Sequence, residues 1–196
     1  GVSIFYTARI QMVKVKFIRN KAKLGAGVHI MKFEDIRMIL NVFGENGALS
    51  MGGGVWSENI DVNLKAKLSI LYSFFADNSA DQAGAVMHIR NVKILSVFDV
   101  LILVNKRNNI ALSVLSINVK QLYLYDITFQ GLSTKLILVQ TMAHFMIFKD
   151  IAFKCPIFAY LHEENSVNTD ASVKVQYQCL YCKQGYYLIQ QNNRLI

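Results

Sequence analysis

Apolar residues along this chain come in short runs with a period of two, and the three-four spacing of an amphipathic helix is weak throughout. Lys14 and Lys16 alternate with Val13, Val15 and Phe17. That alternation puts the lysines on the outward face of one strand and the apolar side chains on its inner face. The longest apolar stretches, Val100-Leu101-Ile102-Leu103-Val104 and Leu136-Ile137-Leu138-Val139, are strand-sized, rich in β-branched residues and bounded by Asn, Lys, Gln or Thr. They read as short buried strands. A helical solenoid is the competing repeat architecture, and the β-branched runs and glycine patches disfavour it.

The pattern is itself repeated. Phe17, Phe43 and Phe75 each open one phrase: Phe-x-x-Asn-x-Ala, ending in Asn20, Asn46 and Asn78 plus two residues. A small-residue patch follows each time, as Gly25-Ala26-Gly27-Val28, Gly52-Gly53-Gly54-Val55 and Gly84-Ala85-Val86. Past Asn91 the phrase survives as spacing. Asn91…Asp99 and Asn118…Asp126 superpose, with a further echo at Lys149-Asp150-Ile151. The ladder is then Phe17, Phe43, Phe75, Ile102, Phe129, Phe153, in steps of 26, 32, 27, 27 and 24 residues.

A step of this size fits a parallel β-helix coil, whose apolar face is buried only by its neighbours above and below. Each coil has room for a strand after the patch (Val28–Ile30, Val55–Ser57, Val86–Ile89, Val114–Ile117, Leu136–Val139, Phe158–Leu161). A central strand follows (Ile36–Leu40, Ile60–Leu64, Val92–Leu95, Val119–Leu122, Phe145–Ile147), and the third contains or precedes the Phe. The long second step is expected to come from extra residues between Asp61 and Lys67. Phe at each rung would stack inside the core. Asn would sit in the turn, tolerating αL and sharing amide hydrogen bonds with the Asn above and below. Gly25, Gly27, Gly53, Gly54 and Gly84 would allow corner geometries that a Cβ forbids.

Phe-x-x-Asn paired with a Gly-Gly-Ala-[Ile/Leu/Val]-type patch resembles the repeat of the polymorphic membrane proteins, surface-exposed β-helical passengers of bacterial autotransporters. Similar repeats occur in large surface proteins of protists. The likeness covers about residues 17–86 and implies an adhesive or architectural role rather than catalysis. Cys179-Leu180-Tyr181-Cys182-Lys183-Gln184-Gly185-Tyr186-Tyr187 resembles the start of an extracellular cysteine-rich repeat of the growth-factor-receptor or furin-like type. That likeness implies a Cys179–Cys182 region belonging to a disulfide framework and a parent protein that continues. A zinc or redox pair is the other reading of the spacing, and Cys155 reads as a buried thiol.

Composition adjusts this picture in three ways. Apolar residues make up 53% of 196 residues and mean hydropathy is positive. Yet no apolar run reaches the 18 or so residues of a membrane-spanning helix. The single proline argues against linkers, and a first residue other than Met suggests a piece of something longer. The net charge of +8 is spread along solvated faces, which allows an anionic glycan or surface as partner; with no recognised binding module, nucleic acid is not expected.

Candidate chemistry is sparse. β-helices include polysaccharide lyases, whose work needs clustered carboxylates. Asp99, Asp126 and Asp150 share a repeat position and would form a row on successive coils, either a site or solvated turn residues. His29 and His88 share a position with Trp56 between them, too far apart for one metal. His144 lies in an apolar strand. No nucleophile elbow, phosphate loop or Asn-x-Ser/Thr acceptor occurs, so neither an enzyme, a cofactor, a metal nor an N-glycan is expected.

The expected architecture is all-β: a right-handed, single-stranded, pectin-lyase-like parallel β-helix of about six coils over 1–175, then the start of a cysteine-rich repeat over 176–196. The expected function is a structural or adhesive segment of a larger cell-surface or secreted protein, self-associating into a filament or binding other extracellular proteins. The alternative is binding or lyase-like cleavage of an anionic polysaccharide.

Overall fold

The structure is a computed structural model and describes residues 1–59, 65–104, 115–131, 137–154, 159–167, 172–181 and 194–195. Every regular element among them is a β-strand. In chain order these are β1 (Val2–Val13), β2 (Lys16–Ile18), β3 (Lys21–Leu24), β4 (Val28–Ile39), β5 (Val42–Gly44), β6 (Gly47–Met51), β7 (Val55–Glu58), β8 (Lys67–Leu71) and β9 (Phe74–Ala76). They continue with β10 (Ser79–Ala80), β11 (Met87–Val104), β12 (Leu115–Gly131), β13 (Ile137–Lys149), β14 (Ile151–Lys154), β15 (Ala159–Val167), β16 (Ser172–Tyr181) and β17 (Arg194–Leu195).

The pairing makes a parallel β-solenoid. One wall stacks β1, β4, β7, β11, β12 and β13 in parallel order. A second wall adds β8 between β4 and β11. A third pairs β2, β5 and β9 with the last turn of β11. A separate three-stranded sheet, β3–β6–β10, closes the coil. The parallel stack ends at β13: β16 pairs with it antiparallel, and β15 pairs antiparallel with β16.

Four corners join the walls, and residues at positive φ mark each of them. The first corner uses Tyr6, Lys32 and Asn91. The second uses Lys14, Leu40, Tyr72, Asp99, Asp126 and Asp150, with φ between 49° and 58°. The third uses Arg19, Glu45 and Asp77, and the fourth Gly25, Gly52 and Gly84. A single αL residue turns the strand sharply while leaving its flanking residues extended. Alternate residues on every wall point inward, so Ile30, Ile36, Met38, Phe43, Leu68, Ile70, Phe75 and Ile89 are fully buried. Burial of each such side chain is worth roughly 1.5–3 kcal/mol.

Three expectations are corrected. The second central strand is β8, not Ile60–Leu64, because Leu68 stacks between Ile36 and Leu95; residues 60–64 lie outside the described part. Met87, not Val86, occupies the rung of Val28 and Val55. Val86 takes the place of Gly27 and Gly54, since Gly54 N donates to Ala85 O and Val55 N to Val86 O. Leu161 is not a further parallel rung, because β15 runs antiparallel to β16.

Candidate functional site

The inner columns assemble first. Phe17, Phe43, Phe75, Ile102, Phe129 and Phe153 lie in one register. Phe17 and Phe43 stack at 5.0 Å between ring centroids, and Phe43 and Phe75 at 4.5 Å, with planes 17° and 4° apart. Directly after the third corner runs an amide relay. Asn46 Oδ1 accepts from both the backbone N–H and the Nδ2 of Asn20, at 3.1 and 2.9 Å. Asn78 Oδ1 accepts the same pair from Asn46, at 3.2 and 2.9 Å. Asn46 Nδ2 also donates to Phe17 O, and Asn78 Nδ2 to Phe43 O, each at 2.8 Å. The αL residue turns the backbone away from its ladder, and the Asn oxygen receives the N–H the ladder has lost.

The glycine patch is a column of close backbone approach. A Cβ on Gly53 would lie 2.2 Å from Ser79 O and 2.3 Å from Ala85 O. Gly27 and Gly54 stack in the next column, where a Cβ would press on the Phe rings. Gly52 holds the αL place shared with Gly25 and Gly84.

Asp99, Asp126 and Asp150 do lie in one column, at the second corner. All three are solvent-exposed, and the same column holds Lys14, Leu40 and Tyr72 in the earlier rungs. What the column selects is therefore an αL backbone, which Asp tolerates better than most residues. Among the described residues no three His, Cys, Asp or Glu side chains converge as metal ligands.

No protein-family model matches the chain, and comparison with curated proteins and with solved structures returns no match.

His29, Trp56 and His88 occupy successive rungs of one outward column. The His29 and Trp56 rings meet edge-on at 4.6 Å, with Phe5 edge-on to His29 at 5.2 Å on the other side. Trp56 and His88 are buried, and His29 Nε2, Trp56 Nε1 and both His88 nitrogens have no hydrogen-bond partner among the described residues. Burial pushes His88 down to about 4, with the Arg90 cation adding to the effect, and burial also lowers His29. These side chains are neutral packing groups near neutral pH.

The side chains of His144, Phe153 and Cys179 lie outside the described part, as do Cys155 and Cys182. Cys179 itself falls on β16, opposite Leu161 of β15.

Two polar groups went unnoticed in the sequence. Asn41 repeats the amide device at the second corner: its Oδ1 accepts from Val15 N at 2.8 Å, its Nδ2 donates to Met12 O, and its own N–H donates to Ser73 Oγ. Asn59 accepts from Phe33 N at 3.1 Å. For Asn41 and Ser73 the signal is an Asn or Ser directly following an αL residue, Leu40 or Tyr72, the same grammar as Glu45-Asn46; Asn59 follows Glu58 at the end of a strand and carries no such mark.

Proposed function

We propose that this chain is a structural or adhesive segment of a larger cell-surface or secreted protein, a stiff right-handed β-helical shaft whose corners are the displayed surface. The observation that carries this is the axial continuity of the Phe17–Phe43–Phe75 stack beside the Asn20–Asn46–Asn78 relay. Over the first three coils each is fixed to the next by apolar packing and by amide hydrogen bonds at once, which resists bending and register slip. The likeness of the repeat to surface-exposed autotransporter passengers supports an extracellular setting, with self-association or other surface proteins as partners. Cys179 and Cys182 would begin a cysteine-rich module following the shaft.

Electron microscopy of the parent protein from its native source tests this reading. Rods or fibres projecting from a surface are expected. Discrete globular particles would overturn it and direct attention to acidic polysaccharides instead.

A further inference from the structure

Outward positions on a solvated wall should be polar. On both sides of the second corner they are not. The column before the corner reads Val13, Ile39, Leu71, Phe98, Tyr125, Lys149. The corner itself reads Lys14, Leu40, Tyr72, Asp99, Asp126, Asp150. Two residues on, the column reads Lys16, Val42, Phe74, Leu101, Thr128, Ala152. Val13, Leu40, Tyr72 and Leu101 are 43%, 45%, 49% and 36% exposed, and Ile39, Val42, Leu71, Phe74 and Phe98 are half-buried. Together they form a continuous apolar ridge along the solenoid axis, of the kind that marks an interaction surface.

The ridge has a charge polarity. Lys14 and Lys16 stand at its first rung, its second and third rungs carry no charge, and Asp99 stands at its fourth. None of these three charged side chains is in an ion pair among the described residues. We propose that the ridge pairs two copies of this chain side by side, with their solenoid axes antiparallel.

A two-fold axis across the ridge, between the second and third rungs, places each column opposite itself and reverses the order of rungs. Leu40 then faces Tyr72 of the second copy, Ile39 faces Leu71 and Val42 faces Phe74, so the centre is wholly apolar. One rung out, about 4.8 Å along the axis, Lys14 faces Asp99 of the second copy on both sides. Asp126 and Asp150 fall beyond the second copy's first rung and stay in water. A parallel pairing would set Lys14 against Lys14 and Asp99 against Asp99, which like-charge repulsion disfavours. The acidic end of the ridge also makes it a poor match for an anionic lipid surface.

Sedimentation equilibrium of the chain tests the proposal, with circular dichroism confirming that each variant is folded; all the positions changed are exposed. The wild type is expected to dimerise. Tyr72→Lys should abolish the dimer, and Lys14→Glu or Asp99→Lys alone should weaken it about tenfold or more. Lys14→Glu combined with Asp99→Lys should restore most of the affinity, whereas Lys14→Glu combined with Asp150→Lys should not. A monomeric wild type, or an oligomer indifferent to these substitutions, would overturn the proposal. Neither result bears on the shaft reading, which microscopy decides separately.

Discussion

The second corner requires one residue per rung at positive φ, and Lys14, Leu40, Tyr72, Asp99, Asp126 and Asp150 all meet that requirement. If backbone geometry rather than charge selects the aspartates, Asp126→Asn should leave stability within about 0.5 kcal/mol of wild type, because Asn is equally at ease in αL. Asp126→Val should cost about 1–2 kcal/mol. Urea denaturation separates the two, and equal losses in both variants would point to a role for the carboxylate. His88 makes a pH prediction. Its strand neighbours are Trp56 on β7 and Ser116 on β12, and the charged groups beside it are Arg90 and Glu58, which pair at 3.8 Å. Folded His88 titrates at about 4, while an unfolded His titrates near 6.5. Between those values the unfolded chain holds the extra proton, so stability present above pH 6.5 is lost as the pH falls towards 4, by on the order of 2 kcal/mol. In His88→Leu this part of the pH dependence should be missing from denaturation midpoints measured across that window.

At the scale of the element, the fourth corner is where side-chain size matters most. Gly53→Ala forces a Cβ to within 2.3 Å of two carbonyl oxygens, whereas a Cβ on Gly47 would meet its nearest atom, Ser79 Oγ, at 3.4 Å. Thermal melts should show Gly53→Ala strongly destabilised and Gly47→Ala unchanged or slightly raised; similar melts for the two would contradict the close approach. The inner Phe, Asn and Gly positions were legible because the same chemistry recurs at the same offset. The corners were less so: Leu40, Tyr72 and Lys14 carry no αL signature, and only the acidic members of their column looked unusual. Strand β8 was misplaced for a physical reason. Ile60-Asp61-Val62-Asn63-Leu64 alternates as well as Lys67–Leu71 does, and a period of two cannot choose between them. The choice is made by β4 and β11 on either side, which need Leu68 and Ile70 to fill the core. The assignment at Val86 failed because β-branching was read as the strand start, while Met87 serves that rung equally well. The outer apolar ridge could not be seen before the walls were known, since inward and outward residues on it are alike.

For the molecule as a whole, stacking makes stability a property of position. β11 is paired along both edges, with β7, β8 and β9 on one side and β12 on the other. β1 is paired on one side only among the described residues. Amide hydrogen exchange should therefore be slowest in Met87–Phe98 and fastest in Val2–Val13, with β4 in between; uniform protection across the stack would show that the coils open as one unit. The rung from Phe43 to Phe75 spans 32 residues where its neighbours span 26 and 27. Five surplus residues fall between Glu58, which pairs with Met31, and Lys67, which pairs with Asp35; against the preceding coil one more is taken up by the register shift between β3 and β6. Past that insertion β8 rejoins the register of β4 and β11, with Leu68 level with Ile36 and Leu95. The architecture thus separates what must be constant from what is free to vary: a guest peptide grafted between Asn59 and Lys65 would be carried at a fixed height on the shaft without disturbing a single stacked ring.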